Sequence, residues 1–98
     1  LTINQAAIEI LPECRAICDA LGLDPMGLIA SGALLAAVAS ADAPALLSAL
    51  EADGVAARVI GTATEPGEGL RMRVGGELVP LPTFERDELA RYFGTQTP

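Results

Sequence analysis

The sequence predicts an α/β domain of the α+β kind, a mixed β-sheet with helices packed on it. Three observations carry that reading. Cys14, Ile17, Cys18 and Leu21 recur at the three-to-four-residue spacing of one helical face, while Leu70, Met72 and Val74 alternate with Arg71 and Arg73 as strand residues do. Gly75-Gly76 stands between two strand-like segments, the signature of a two-residue hairpin. The patterns follow one another as strand, helix, strand, helix, strand, hairpin and helix, an order that suits a layered fold.

Taken in chain order, residues 1–3 read as the end of a strand and residues 4–11 as irregular chain. Pro12 opens a helix, with Glu13, Arg15 and Asp19 largely off its apolar stripe, and Gly22 stops it. Leu23-Asp24-Pro25 is a turn, and residues 25–30 make one loose helical turn before Ser31-Gly32 breaks it. Residues 33–39 are almost continuously apolar and read as a buried strand covered on both faces. Ser40 or Asp42 caps the next helix, Pro44 is tolerated in its first turn, Leu46, Leu47 and Leu50 form its apolar face, and Gly54 ends it. Residues 55–64 form a second strand through Val55, Val59 and Ile60. Glu65-Pro66-Gly67-Glu68-Gly69 turns it into a third over residues 70–74, and residues 77–81 complete the hairpin. A short last helix over residues 85–93 is anchored by Leu89, Tyr92 and Phe93. Residues 1–93 are thus expected to be a single domain and residues 94–98 a mobile tail.

With 51% apolar residues, a chain of 98 has enough to bury for most of it to fold. Aromatics are 3% and Trp is absent, which argues against a platform for stacking bases. Six basic against thirteen acidic residues give a net charge of -7, a field that repels phosphate backbones and anionic lipid, so neither nucleic acid nor membrane is an expected partner. All six bases are Arg, and only Arg71 and Arg73 form a local pair. The longest apolar run, residues 28–39, is interrupted by Ser31 and Gly32 and is too short to span a bilayer. No basic segment followed by a long apolar stretch opens the chain, so a cytoplasmic location is expected. The first residue is Leu rather than Met, which fits either processing or a domain excised from a larger protein, and the modular size favours excision.

Few residues offer chemistry. Cys14 and Cys18 lie four apart on one helical face, but there is no His and no third Cys, so a four-ligand zinc or iron–sulfur site would need carboxylates or another subunit. Both read as core residues, unlinked by a disulfide at that spacing in a reducing compartment. The absence of His also removes the commonest general base and any Ser-His or Cys-His pair. Asp19 with Asp24, and Glu65 with Glu68, read as solvated surface. Gly67-x-Gly69 and Gly75-Gly76 lie between strands and precede no helix, which makes them turns rather than phosphate cradles. Ser31-Gly32, at the entry to the apolar run, either lets a ligand or backbone come close or bends the chain into the strand. These two are the candidate site residues, and no catalytic, cofactor-binding or metal-binding residue is assigned.

Residues 8–38 (IEILPECRAICDALGLDPMGLIASGALLAAV), residues 42–50, Val59-Ile60-Gly61 and Phe84-Glu85-Arg86-Asp87-Glu88-Leu89 together resemble the C-terminal domain of AIR synthase-related proteins. That PurM/HypE superfamily includes aminoimidazole ribonucleotide synthase, selenophosphate synthetase and thiamine-monophosphate kinase. The chain looks most like the hydrogenase expression/formation branch. A helix ending Leu-Gly-Leu-Asp-Pro, a short turn, an x-x-Gly strand entry, an Asp-Ala helix and an Ile-Gly strand carry the likeness over most of the chain.

The resemblance implies a parent whose N-terminal domains dimerise and bind ATP with magnesium, while this half closes the substrate cleft without acting alone. It implies as partners the chain's own N-terminal ATP-binding domain and a second copy in a homodimer, with ATP and magnesium bound outside this stretch. Two departures from the hydrogenase pattern stand out. Where that branch carries Asn-Glu-Gly, its Glu in the active-site channel, this chain has Ala30-Ser31-Gly32; where it ends Pro-Arg-Ile-Cys, whose Cys receives a carbamoyl group, this chain ends Gly94-Thr95-Gln96-Thr97-Pro98. The implied parent is therefore an AIR synthase-related paralogue of unassigned substrate, with Ser31 and Gly32 facing the cleft. The alternative is a non-catalytic interaction or dimerisation module.

Overall fold

A computed structural model describes residues 1–96 and divides the chain into two compact units. The first comprises Leu1–Ile8 and Leu34–Leu81, the second residues 9–33 with the chain from Pro82 onward.

The first unit contains a four-stranded mixed sheet. Its strands are β1 (Thr2–Asn4), β2 (Gly61–Thr62), β3 (Arg71–Val74) and β4 (Glu77–Pro80), in the spatial order β2-β1-β3-β4. β1 runs parallel to β3, setting Ile3 opposite Met72, and antiparallel to β2, setting Ile3 opposite Gly61. β3 and β4 form the expected hairpin, with Val74 opposite Glu77 and Met72 opposite Val79. Gly75 closes it at φ 60°, a conformation that strains any residue with a side chain. Period-two alternation puts Met72 in the core beside Ile3, both buried, and leaves Arg71 and Arg73 exposed. Val74 is half-buried, but Leu70, expected on the same face, lies before β3 begins and is exposed.

Gly61 explains how β2 joins the sheet. A Cβ there would stand 2.2 Å from the Thr2 carbonyl oxygen and 3.0 Å from Ile3 Cα, so the strand can approach β1 only as glycine. The Asn4 N–H donates to the Ile60 carbonyl at 2.7 Å and extends the same pairing.

Helix α1 (Pro12–Leu21) belongs to the second unit and α2 (Ala43–Ala52) to the first. α2 follows a 3-10 turn at Ser40–Asp42, carries Pro44 in its first turn and closes at Gly54, whose φ is 77°. Neither expected cap is made: Asp42 has helical dihedrals, φ -92° and ψ -16°, and a capping carboxylate needs an extended backbone to reach the leading N–H groups. Leu47 and Leu50 are half-buried and Leu46 is exposed.

Two strand expectations need correction. Residues 33–39 form no strand, and Leu34 and Leu35 are 91% and 72% exposed. An apolar run fixes no ladder by itself; it needs a neighbouring strand to take its N–H and C=O groups, and among the described residues none lies alongside. Residues 55–64 shrink to the two-residue β2, because Val55 and Val59 face solvent and the pairing with β1 involves residues 60–62.

In the second unit α1 starts at Pro12 and ends where Gly22, at φ 68°, takes the left-handed cap. Cys18 is buried and Cys14 half-buried, but Ile17 and Leu21 are exposed, so only part of the expected stripe is covered. A 3-10 turn at Pro25–Gly27 follows, and α3 spans Glu88–Gln96. α3 begins three residues later than expected because the Asp87 carboxylate holds the N–H groups of Leu89 and Ala90. It continues through Gly94, Thr95 and Gln96, where a tail was expected, while Thr97 and Pro98 lie outside the described residues. Of the three expected anchors, Leu89 and Phe93 are exposed and Tyr92 is half-buried; the buried residue of this helix is Glu88. Among the described residues, no helix is long and apolar enough to cross a membrane.

Candidate functional site

The second unit is organised around two consecutive carboxylates at the start of α3. Glu88, 5% exposed, accepts the Asp24 N–H at 2.8 Å through Oε1 and the Arg91 Nε–H at 2.5 Å through Oε2. Arg91 Nη2 bonds Glu88 Oε1 at 3.3 Å and also reaches the Gly22 carbonyl at 3.0 Å, where the end of α1 leaves carbonyls without helical partners. The Arg91 hydrogen bond, then the Asp24 N–H, hold the Glu88 carboxyl below the usual glutamate range despite its burial, and Glu88 holds the Arg91 guanidinium up in turn.

Asp87 completes the arrangement. While Oδ2 caps α3, Oδ1 accepts the Ile29 N–H at 2.7 Å. The chain from Gly22 to Ile29 is therefore held at three backbone points by one turn of α3. Inside it, Asp24 Oδ1 accepts the Met26 N–H at 2.9 Å, and the Gly27 N–H returns to the Asp24 carbonyl at 3.0 Å. Gly27 packs so closely that a Cβ would lie 2.5 Å from Glu88 Cγ and 2.6 Å from Phe84 Cδ1. An open depression of about 370 Å³, lined by Met26, Leu28, Ile29, Phe84, Arg86 and Asp87, lies along this loop.

The clamped loop leads directly into the candidate residues. Ser31 and Gly32 occupy the tip of a turn closed by the Ala33 N–H on the Ala30 carbonyl at 3.4 Å, and both are exposed. Gly32 has φ 86°, and a Cβ on it would meet nothing within 4 Å, so the glycine is demanded by backbone conformation and not by a close neighbour within the chain. The turn presents a hydroxyl and free peptide groups to solvent from an anchored base.

The other candidates stay apart. Glu65, Glu68 and Asp19 are exposed, and Asp24 serves its own turn. Cys14 and Cys18 are both free thiols, their sulfurs 4.0 Å apart, and burial, followed by the Cys14 hydrogen bond, pushes the Cys18 thiol up. Among the described residues no three His, Cys, Asp or Glu side chains gather as a metal site, and the turns at Gly69 and Gly75-Gly76 lead into strands. These residues do not fit a triphosphate with magnesium. The sequence reading missed Asp87, Glu88 and Arg91 as a working group. The available signal was Asp87 standing just ahead of Leu89, Tyr92 and Phe93, the pattern of a capping residue.

Comparison with known proteins places most of the chain in a family. The family model described as AIR synthase related protein, C-terminal domain, matches residues 3–73. The chain is 41% identical over 81 residues to the carbamoyl dehydratase HypE of Cupriavidus necator, covering 78% of this chain and 23% of that protein. It is 40% identical over 76 residues to the carbamoyl dehydratase HypE of Rhodobacter capsulatus, covering 74% and 22%. A hydrogenase expression/formation protein of Methanocaldococcus jannaschii is 36% identical over 86 residues, covering 84% and 26%. The chain thus spans about a quarter of the length of these relatives. No solved structure matches.

Proposed function

The chain belongs to the AIR synthase related C-terminal domain family, and on that footing we propose that it forms part of the substrate cleft of an ATP-dependent enzyme related to the hydrogenase maturation protein HypE. Ser31 and Gly32 face that cleft. The observation that carries this reading is the clamp: Asp87, Glu88 and Arg91 fix the loop from Gly22 to Ile29 and so deliver an exposed turn from a rigid base. Binding sites gain from such anchoring because the ligand then does not bear the cost of ordering the loop. On this reading ATP and magnesium are held by the parent's N-terminal domain, as the family resemblance implies. The relatives named carbamoyl dehydratase support a hydrogenase maturation-like chemistry, while Ser31, standing where the resemblance leads one to expect a carboxylate, leaves the substrate unassigned.

Isothermal titration calorimetry on the full-length parent with ATP and magnesium tests the proposal, and saturable binding is expected. The 98-residue chain by itself should give no heat at millimolar nucleotide. Silence from the parent would sink the ATP-dependent reading, and saturable binding to the short chain would move the nucleotide site into it.

A second reading, a non-catalytic interaction module that forms homodimers, draws on the exposed apolar side chains of Leu34 and Leu35 in the first unit. Light scattering separates the two: one dimer shared by the short chain and the full-length parent supports the module, while association by the short chain only discounts it.

A further inference from the structure

We propose that Cys14 and Cys18 form a two-thiolate site for a soft, low-coordinate cation of the copper(I) type. The two sulfurs face each other across one turn of α1, 4.0 Å apart, with no disulfide between them. Two-coordinate copper(I) holds its thiolates nearly collinear, so two metal–sulfur bonds of about 2.3 Å each ask for a sulfur separation of about 4.6 Å, which small side-chain rotations that open the observed 4.0 Å gap provide. The helix sets this geometry, since residues four apart stack on one face.

The surroundings choose among metals. Zinc asks for four ligands, and no third His, Cys, Asp or Glu joins the pair among the described residues. Thiolates without nitrogen or oxygen partners select soft ions, and two sulfurs satisfy copper(I). Cys18 is 2% exposed and shields the ion from water, while half-buried Cys14 provides the way in. On binding, two S–H bonds break and two S–Cu bonds form. Both protons leave to solvent and no electron moves.

The test uses the reduced chain under anaerobic conditions, with copper(I) supplied from a coloured chelator whose loss of copper is followed by absorbance. One copper per chain is expected, with X-ray absorption showing sulfur as its only near neighbour. Cys14→Ser, at the half-buried position, should weaken binding by more than about 100-fold, beyond the loss caused by removing an outer partner alone. Cys14→Ala repeats the test without a hydroxyl, and the far-UV circular dichroism of both variants confirms that the helix is intact. Wild-type affinity in either variant, two independent coppers per chain, or nitrogen or oxygen neighbours around the metal would overturn the site. So would uptake by a Cys14→Ala, Cys18→Ala chain equal to that of wild type, which would assign the copper to Met26, Met72 or another group.

Discussion

Glu88 shows how one buried carboxylate can organise a unit. Arg91 and the Asp24 N–H favour its ionised form, so the folded chain holds the Glu88 proton less readily than the unfolded chain does. Its contribution to stability is fully present above the ordinary glutamate value near 4.5 and is lost as pH falls through the lower folded value. Urea midpoints measured between about pH 3 and pH 7 should therefore drop on acidification in the wild type and drop less steeply in Glu88→Gln. Parallel profiles would assign the acid sensitivity to other groups. Little of this was legible beforehand, because a Glu in a helix reads as a solvated residue until its partners, 64 positions away at Asp24 and three away at Arg91, are in place. Ser31 and Gly32 were singled out for the break they make in an apolar run, and the structure puts them at the exposed tip of the turn that the clamp supports.

At the scale of elements, local signals succeeded where the chain supplies its own partners. The Gly75-Gly76 hairpin pairs neighbours in sequence, and α1 is bounded by Pro12 and Gly22, whose backbone preferences act without tertiary help. Residues 33–39 failed as a strand because a ladder needs a second chain segment that no local pattern provides. β2 is the instructive intermediate case: two residues long, it exists because Gly61 admits the backbone of β1. Gly61→Ala should cost about 1–3 kcal/mol through the clash with Thr2 and Ile3. Gly76→Ala, with no atom within 4 Å of the new methyl and no positive φ, should stay within about 0.5 kcal/mol. Chemical denaturation of the two variants side by side checks the contrast, and equal losses would show that β2 is not held by this approach.

Across the whole molecule, the buried apolar residues among those described are Ile3 and Met72 in the first unit and Cys18 and Leu23 in the second, although half the sequence is apolar. Composition indicated that a core could form; it carried no information about which apolar residues would be left in water. The exposed ones are concentrated in part along residues 33–39, which contain no charge, no proline and no regular hydrogen-bonded structure. Free backbone groups beside bare Leu and Val side chains are the ingredients of intermolecular cross-β stacking, and the net charge of -7 opposes it only through long-range repulsion that salt screens. The chain should consequently form thioflavin-positive fibrils faster as salt is raised, and a charged gatekeeper, Leu35→Lys, should delay them without moving the urea midpoint. An unchanged lag time would place the fibril-forming segment elsewhere. What is a missing strand in the folded chain becomes, at high concentration, the feature that limits how long it stays in solution.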